Sequence, residues 1–278
     1  MLTSLSNEQV KLVRALQTQR KRREQEKRFV IEGVRLIEEA LKANADFDFV
    51  FYEETKDERA RKLLDELTRR RVSLIQTSTQ IMRACADTEN PQGVIAVLAL
   101  PSVKGVWRLE IESPIPNPQS LILICDRISD PGNLGTLLRT AAAANVDAVL
   151  LSPDTVEAFN PKVVRAGMGA HFRLPIESLS WDEIKARTAN LKIYLADVEH
   201  GIHTTQYDLV DWTQPCALIV CSEAEGASNS AKTLAQESVY IPMQRNVESL
   251  NAAVAGSIIL FEAVRQRKAD SEWLIADG

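Results

Sequence analysis

The sequence predicts an α/β protein in two parts: a small α/β sandwich domain, then a larger domain built on a parallel sheet. Three observations carry that reading. Short apolar runs alternate with stretches of helical periodicity along most of the chain. The runs of the second half, LILICD (121–126) and CALIVCS (216–222), are almost continuously apolar, as strands buried on both faces of a parallel sheet are. Between the halves, PSVKGVWRLEIESPIPNPQS (101–120) holds four prolines and no hydrophobic period. The domains are therefore 1–104 and 121–278, with 105–120 as linker.

In the first domain, residues 5–24 read as a helix with Val10, Val13 and Leu16 on one face and Ser4 or Ser6 as its cap. FVIEG (29–33) is a strand closed by Gly33, and VRLIEEALKA (34–43) is a helix. FDFVFYEE (47–54) is a second strand and DERARKLLDELTRRR (57–71) a charged amphipathic helix. VSLIQTS (72–78) is a strand, STQIMRACA a short helix, and GVIAVLAL (93–100), after the turn ENPQG, the last strand.

The second domain opens with the strand 121–126, the helix NLGTLLRTAAAANV (133–146) and the strand AVLLS (148–152). NPKVVRAGMGAHF (160–172) reads as a helix, and LKIYLAD (191–197) and CALIVCS as strands separated by irregular polar segments. VYIPM (239–243) is a short strand before NVESLNAAVAGSIILFEAVRQR (246–267), helical from Ala252 onward. In an open parallel sheet, ligands sit beyond the carboxyl ends of the strands.

Composition narrows the function. At 278 residues the chain has room for two ordinary domains, and 45% hydrophobic with 26% charged residues is ordinary for a globular protein. No run of eighteen apolar residues exists, which predicts no membrane span, and the N-terminus lacks the apolar core of a secretory signal. Cys85, Cys125, Cys216 and Cys221 have no paired spacing and read as buried thiols of a reducing compartment, the cytoplasm. His171, His200 and His203 have no companions at metal-ligand spacing, so no metal site is expected. The net charge of −5 conceals an asymmetry: residues 1–100 carry 18 basic against 16 acidic side chains, the rest 15 against 22. RKRREQEKR (20–28) concentrates Arg20, Lys21, Arg22, Arg23, Lys27 and Arg28. This run is either a polyanion contact or a solvated helix face with Arg20–Glu24 and Arg22–Glu26 pairs.

Three loops at strand ends hold the candidate site. DRISDPGNLGTLLRTAAAANVDAVLL carries Asn133 near a helix start and Arg139 one turn and a half into it. Each has an ordinary alternative, a cap and a surface ion-pair partner. Its GNLG lacks the spacing of a dinucleotide fingerprint, which argues against a nucleotide-dependent oxidoreductase. LIVCSEAEGAS (218–228) runs a strand into Glu223, Glu225 and Gly226, a ligand rim or a polar turn. IPMQRNVESLNAAVAG puts Ser249 and Asn251 around a helix N-terminus, where free N–H groups await a cap or a ligand.

NLGTLLRTA, the Glu-x-x-Gly turn and IPM…SLN..VA, in that order, resemble the three motifs of the SpoU (TrmH) family of RNA ribose 2′-O-methyltransferases, in the SPOUT superfamily. The resemblance covers about residues 118–268. Residues 8–100, with KRFVIEGVRLIEEAL and DTENPQGVIAVL, are similar to the ribosomal-protein-like substrate-binding domain that often precedes it. The resemblance implies a C-terminal segment threaded into a deep trefoil knot, which periodicity could not reveal because knots are nearly absent from folds. It also implies S-adenosyl-L-methionine as cofactor, a homodimer through the knotted domain, and structured RNA as substrate, ribosomal rather than transfer RNA by analogy of the accessory domain. Carried over residue by residue, the catalytic set is Asn133, Arg139, Glu223, Ser249 and Asn251, and the cofactor residues are Cys221, Gly226, Ile241, Met243 and Leu250. The basic run supplies the RNA contacts.

Two departures stand out. Where the family's second motif is usually Gly-Asn-Glu-Gly-x-Gly, this chain has CSEAEG, and Arg245 occupies a place where glycine is common, adding bulk and charge at the pocket rim. The resemblance assigns Arg139 to the proton of the 2′-hydroxyl. A guanidinium stays protonated below a pKa of about 12, so an electrostatic role, gripping phosphate and stabilising the developing alkoxide, suits it better. The alternative from another class, a non-catalytic RNA-binding or assembly protein, is disfavoured because all five polar side chains of the set are present.

Overall fold

The computed structural model describes residues 1–101, 120–198, 204–245 and 248–276, with the side chains of the last helix up to Lys268. The segment read as the linker, apart from Pro101 and Ser120, and also His200 and His203, lie outside the described residues. The chain divides into two compact units, Met1–Trp107 with Glu157–Arg173, and Arg108–Val156 with Leu174–Gly278.

In the first unit, α1 (Glu8–Thr18) and α2 (Arg20–Glu26) precede β1 (Arg28–Glu32). Then come α3 (Val34–Lys42), β2 (Phe47–Tyr52), α4 (Glu58–Arg69), β3 (Ser73–Gln76), α5 (Thr79–Cys85) and β4 (Val94–Ala99). The sheet order is β1-β4-β2-β3, with β4 antiparallel to both its neighbours and β3 parallel to β2. Side-chain alternation gives each strand two buried faces. Val30, Phe49, Phe51, Ile95 and Val97 pack with Val10, Val13 and Leu16 of α1 and Ile81 of α5. Phe29, Ile31, Val50, Ala96 and Leu98 pack with Ile37 of α3 and Leu63 and Leu67 of α4. This is the expected sandwich.

The helix expected over 5–24 is two helices. Asn7, not Ser4 or Ser6, caps the first by accepting from the Gln9 N–H, and the extended backbone of Gln19 (φ −119°, ψ 109°) separates it from the second.

In the second unit the chain runs through β5 (Leu121–Asp126), α6 (Pro131–Ala143), β6 (Ala148–Leu151), α7 (Pro161–Gly167), β7 (Ile176–Ser178), α8 (Trp181–Arg187) and β8 (Lys192–Ala196). It continues through β9 (Thr204–Gln206), β10 (Cys216–Cys221), α9 (Asn229–Leu234), β11 (Glu237–Tyr240) and α10 (Ala252–Ala276). The seven strands lie in the order β7-β6-β5-β10-β8-β11-β9, and every pairing is parallel. One face, with Ile122, Ile124, Leu195 and Ile219, packs against Ile184 of α8 and Ala231 of α9. On α10, Gly256 lets the helix approach closely: a Cβ there would sit 2.7 Å from Leu137 of α6 and 3.1 Å from Val220 of β10. The far half of α10 is anchored by Gln266, which accepts from the Trp212 N–H (2.9 Å), and by Arg267, which donates to the Trp212 carbonyl (2.8 Å).

One part of the second-domain reading is corrected. Glu157–Arg173, which contains α7, belongs with the first unit. Phe159 meets Phe29 edge-on with centroids 5.0 Å apart, and Val164 and Phe172 complete that core. The helix expected over 160–172 ends at Gly167 because Met168 (φ 47°) and Gly169 (φ 93°) turn left-handed. Its apolar residues thus serve the other core, a destination that periodicity alone does not encode. The short elements β7, α8, β9 and α9 fall in segments with weak apolar patterns and were not expected. Among the described residues, no helix is long and apolar enough to cross a membrane.

Candidate active site

The three loops converge at the carboxyl ends of β5, β10 and β11. The first enters α6, whose cap is Asp130 rather than Asn133: the Asp130 carboxylate accepts from the Asn133 N–H at 2.8 Å. Asn133 is thereby one turn inside the helix, with its amide side chain free for other work. That amide donates to Glu223 Oε1 (3.3 Å), and its oxygen accepts from Asn251 Nδ2 (2.9 Å). Asn251 Nδ2 also donates to Glu223 Oε1 (2.9 Å), and the Ala252 N–H reaches the same oxygen (2.7 Å). One carboxylate oxygen therefore collects three donors at the positive N-terminal end of α10. Asn251 caps that helix as well, its Oδ1 accepting from the N–H groups of Ala253 (3.0 Å) and Val254 (3.2 Å). Cap and cluster are one residue.

Beside this cluster lies a cleft of about 710 Å³. All five residues expected to bind cofactor, Cys221, Gly226, Ile241, Met243 and Leu250, line it, as do Glu223 and Ser249. Its apolar wall includes Val220, Val239 and Ile259. A second, more open recess is bordered by Ile128, Ser129, Asp130 and Asn133, and shares Ser222, Glu223 and Ala252 with the cleft. Glu223 stands between the two.

Burial pushes the Cys221 thiol up to about 12, and burial likewise raises Cys125. These thiols stay protonated and act as small apolar groups in the wall and beneath it. Among the described residues, no group of three or more His, Cys, Asp or Glu side chains is placed to share a metal ion.

The remaining expected site residues behave differently. Ser249 lines the cleft, but no hydrogen bond joins it to the cluster among the described residues. Arg139 is exposed on α6, borders neither the cleft nor the recess, and has no ion pair among the described residues. Arg245 has a left-handed backbone (φ 57°), the conformation glycine takes most readily, and is not among the cleft-lining residues, so its bulk does not narrow the cleft.

In the basic run, Arg20 pairs with Glu24 (2.7 Å), Arg22 with Glu26 (3.0 Å) and Arg28 with Asp48 (3.3 Å). The expectation that Arg23 meets RNA is corrected. It is 2% exposed, and its guanidinium binds both oxygens of Glu157 and the Leu16 carbonyl. A helix with basic residues at four consecutive positions points at least one of them inward. Lys21 and Lys27 remain exposed.

Sequence reasoning passed over two groups. Asp126 ends β5 wholly buried, its carboxylate accepting from the Ser228 N–H (2.7 Å) and the Ser152 hydroxyl (3.2 Å). Ala196, Asp197 and Val198, at the end of β8, complete the cleft. In both cases the available signal was an acidic residue closing an apolar strand, LILICD and LKIYLAD.

This arrangement agrees with what the chain matches. Residues 120–261 match the model of the SpoU rRNA Methylase family. The chain belongs to the SpoU rRNA methylase family. Residues 7–96 match the MRM3-like substrate binding domain. The chain is 34% identical over 308 residues to the mouse mitochondrial rRNA methyltransferase 3, covering 92% of this chain and 71% of that one. It is 32% identical over 264 residues to the 23S rRNA (guanosine(2553)-2′-O)-methyltransferase RlmP of Bacillus subtilis, covering 94% and 97%. Its fold is similar to the crystal structure of the SpoU methyltransferase AviRb of Streptomyces viridochromogenes in complex with AdoMet: TM-score 0.82, 28% identity, 94% and 98% covered. The SpoU-family match spans all three loops.

Proposed function

We propose that this SpoU-family protein methylates a ribose 2′-hydroxyl of structured RNA, with S-adenosyl-L-methionine as methyl donor and large-subunit ribosomal RNA as substrate class. The observation that carries this reading is the shared wall. Ser222, Glu223 and Ala252 border both the cleft and the recess, so groups held in the two meet at the Asn133–Glu223–Asn251 cluster.

The cleft fits the cofactor. It offers apolar side chains for a flat heterocycle and strand-end backbone for polar groups. Cys221, Gly226, Ile241, Met243 and Leu250 hold it. When bound, it supplies a methyl group on a sulfonium sulfur, and transfer to a hydroxyl is a displacement that requires no metal. The chain's own task is to orient the acceptor and ease loss of its proton. Asn133, Glu223 and Asn251 orient the ribose from the recess side, with Ser249 at the mouth of the cleft.

Arg139 holds the neighbouring phosphate and stabilises the developing alkoxide. Because it is exposed on α6 and borders neither cavity of its own chain, it acts on the site of a second copy. Support for a homodimer through this domain comes from α10, which packs on α6 and leaves Val254 and Phe261, seven residues apart on one face, 46% and 49% exposed. Support for the trefoil knot comes from the strand order: β10 enters between β5 and β8, and β11 between β8 and β9, after the earlier strands are laid. The domain of residues 1–104, joined by the 105–120 linker, recognises RNA through Lys21 and Lys27, with Arg20, Arg22 and Arg28 in a lesser role. Four free cysteines suit a reducing compartment, the cytoplasm.

The test combines calorimetry and mapping. The purified protein binds S-adenosylhomocysteine, with chelators having no effect, and cells lacking it lose a 2′-O-methyl mark from ribosomal RNA. Absence of cofactor binding even with RNA present overturns the reading. A mark lost from transfer RNA instead corrects the substrate alone.

A further inference from the structure

The cleft and the cluster share one loop, Ser222 to Ser228, which carries Glu223 to the cluster and Gly226 to the cleft. It is exposed at Glu223, Ala224, Glu225 and Gly226, and among the described residues it is closed on itself by the Ser222–Gly226 bridge, the Gly226 N–H donating to the Ser222 carbonyl (2.9 Å). Exposed loops with so few bonds of their own open readily. Its ends are held by Asp126: the Ser222 N–H donates to its carbonyl (3.1 Å) and the Ser228 N–H to its carboxylate (2.7 Å). The tip is held by the next residue, Arg127. Its guanidinium reaches Glu225 (2.9 Å) with one nitrogen and donates to the Gly226 carbonyl (3.1 Å) with another.

The backbone of Arg127 is built for that reach. It is left-handed (φ 53°), an uncommon state for a residue with a side chain, and its N–H is fixed by the Ser152 hydroxyl (3.1 Å). That turn sends the side chain back across the end of the sheet. Its Nε is buried with no hydrogen-bond partner among the described residues, 4.0 Å from the Asp126 carboxylate, so the root of the guanidinium lies against a buried carboxyl group.

We propose that Arg127 and Glu225 form a latch: Arg127 is a positioning residue that holds the Ser222–Ser228 loop in its cofactor-binding arrangement. The latch rests on the reading of the cleft as a cofactor site. It acts on the cofactor side, because Arg127 borders neither the cleft nor the recess and reaches both only through the loop.

The experiment uses the full chain and two readouts. In Arg127→Ala, affinity for S-adenosylhomocysteine falls about tenfold and KM for the cofactor rises in step, while KM for RNA is unchanged. Arg127→Lys loses about threefold, because an ammonium cannot serve the Glu225 carboxylate and the Gly226 carbonyl together. Glu225→Gln, an exposed change that cannot unfold the protein, also loses about threefold. The exchanged pair Arg127→Glu with Glu225→Arg binds at least threefold better than Arg127→Glu alone, the coupling expected of direct partners. Without cofactor, the amide hydrogens of Gly226 and Ser228 exchange faster in Arg127→Ala than in the wild type. Unchanged affinity and unchanged exchange in Arg127→Ala overturn the latch, as does an exchanged pair no better than Arg127→Glu. If the wild type binds no S-adenosylhomocysteine, the cofactor reading falls and loop exchange alone decides the latch.

Discussion

The basic run 20–28 and the Asn133–Glu223–Asn251 cluster make opposite use of polar side chains. In the run, six cations lie within nine residues, yet α2 distributes four of them around its axis, Lys27 ends the helix and Arg28 opens β1. Arg20, Arg22 and Arg28 meet carboxylates near them, and Arg23 is buried against Glu157. In the cluster, residues 90 and 118 positions apart converge on one carboxylate oxygen, bonded to each other and to a helix end. Density of charge along a sequence is therefore a weak guide to an interface. Polar residues at the ends of parallel strands are a stronger one, because the sheet brings those ends together wherever they lie in the chain.

The contrast is sharpest at Arg139, where the largest effect is expected. On the proposed role at ribose and phosphate, Arg139→Ala is expected to lower methyl transfer by about 10²-fold or more and to leave cofactor affinity within a few-fold. Arg139→Lys recovers part of the rate. Mixing Arg139→Ala with Asn251→Ala subunits restores some activity if one site draws on two chains. Full activity of the Arg139→Ala protein would remove Arg139 from the chemistry, and failure of mixing would remove the shared site.

At Arg23 the effect is on stability. Arg23→Met leaves Glu157 without its partner beneath the surface and lowers the free energy of unfolding by about 2–3 kcal/mol, whereas Lys21→Met stays within about 0.5 kcal/mol. Denaturant titration of both variants separates the structural arginine from the solvated lysine. Equal effects would break the comparison.

His171 adds a pH dependence to the same unit. Its Nε2–H donates to the Ala158 carbonyl (2.7 Å) and its Nδ1 is buried with no partner, so burial lowers its pKa from 6.5 to about 4. Between those values the unfolded chain binds the proton and the folded one does not. The stability this contributes is present above pH 6.5 and is lost as pH falls toward 4. His171→Phe should flatten that slope in denaturant titrations between pH 7 and pH 4.5. An unchanged slope would acquit this residue.

The smallest effect is expected in the run itself. Lys21→Glu with Lys27→Glu should weaken RNA binding about three- to tenfold and lessen its salt dependence, while Arg22→Gln, whose cation already has a carboxylate, changes less. If Arg22→Gln is the more damaging, the ion pairs open on RNA and the sequence-level reading of the run was the better one.

Most of the alternation of strands and helices, and the identity of the three loops, are legible in the sequence, because these follow from local periodicity and from residue types at strand ends; β7, α8, β9 and α9 are not, because their apolar patterns are weak. The five residues expected to bind cofactor, Cys221, Gly226, Ile241, Met243 and Leu250, all line one cleft. Tertiary structure alone decided where several side chains point. Asp130 takes the cap and frees Asn133, Asp126 and Arg127 reach across to a loop about a hundred residues away, and Arg139 lines neither cavity of its own chain. It also sent Glu157–Arg173 to the other unit, where Phe159 and Phe172 find Phe29. The physical reason is the same in each case. Periodicity says that a face is buried, but the partner that buries it lies far along the chain, and only packing selects among the partners available.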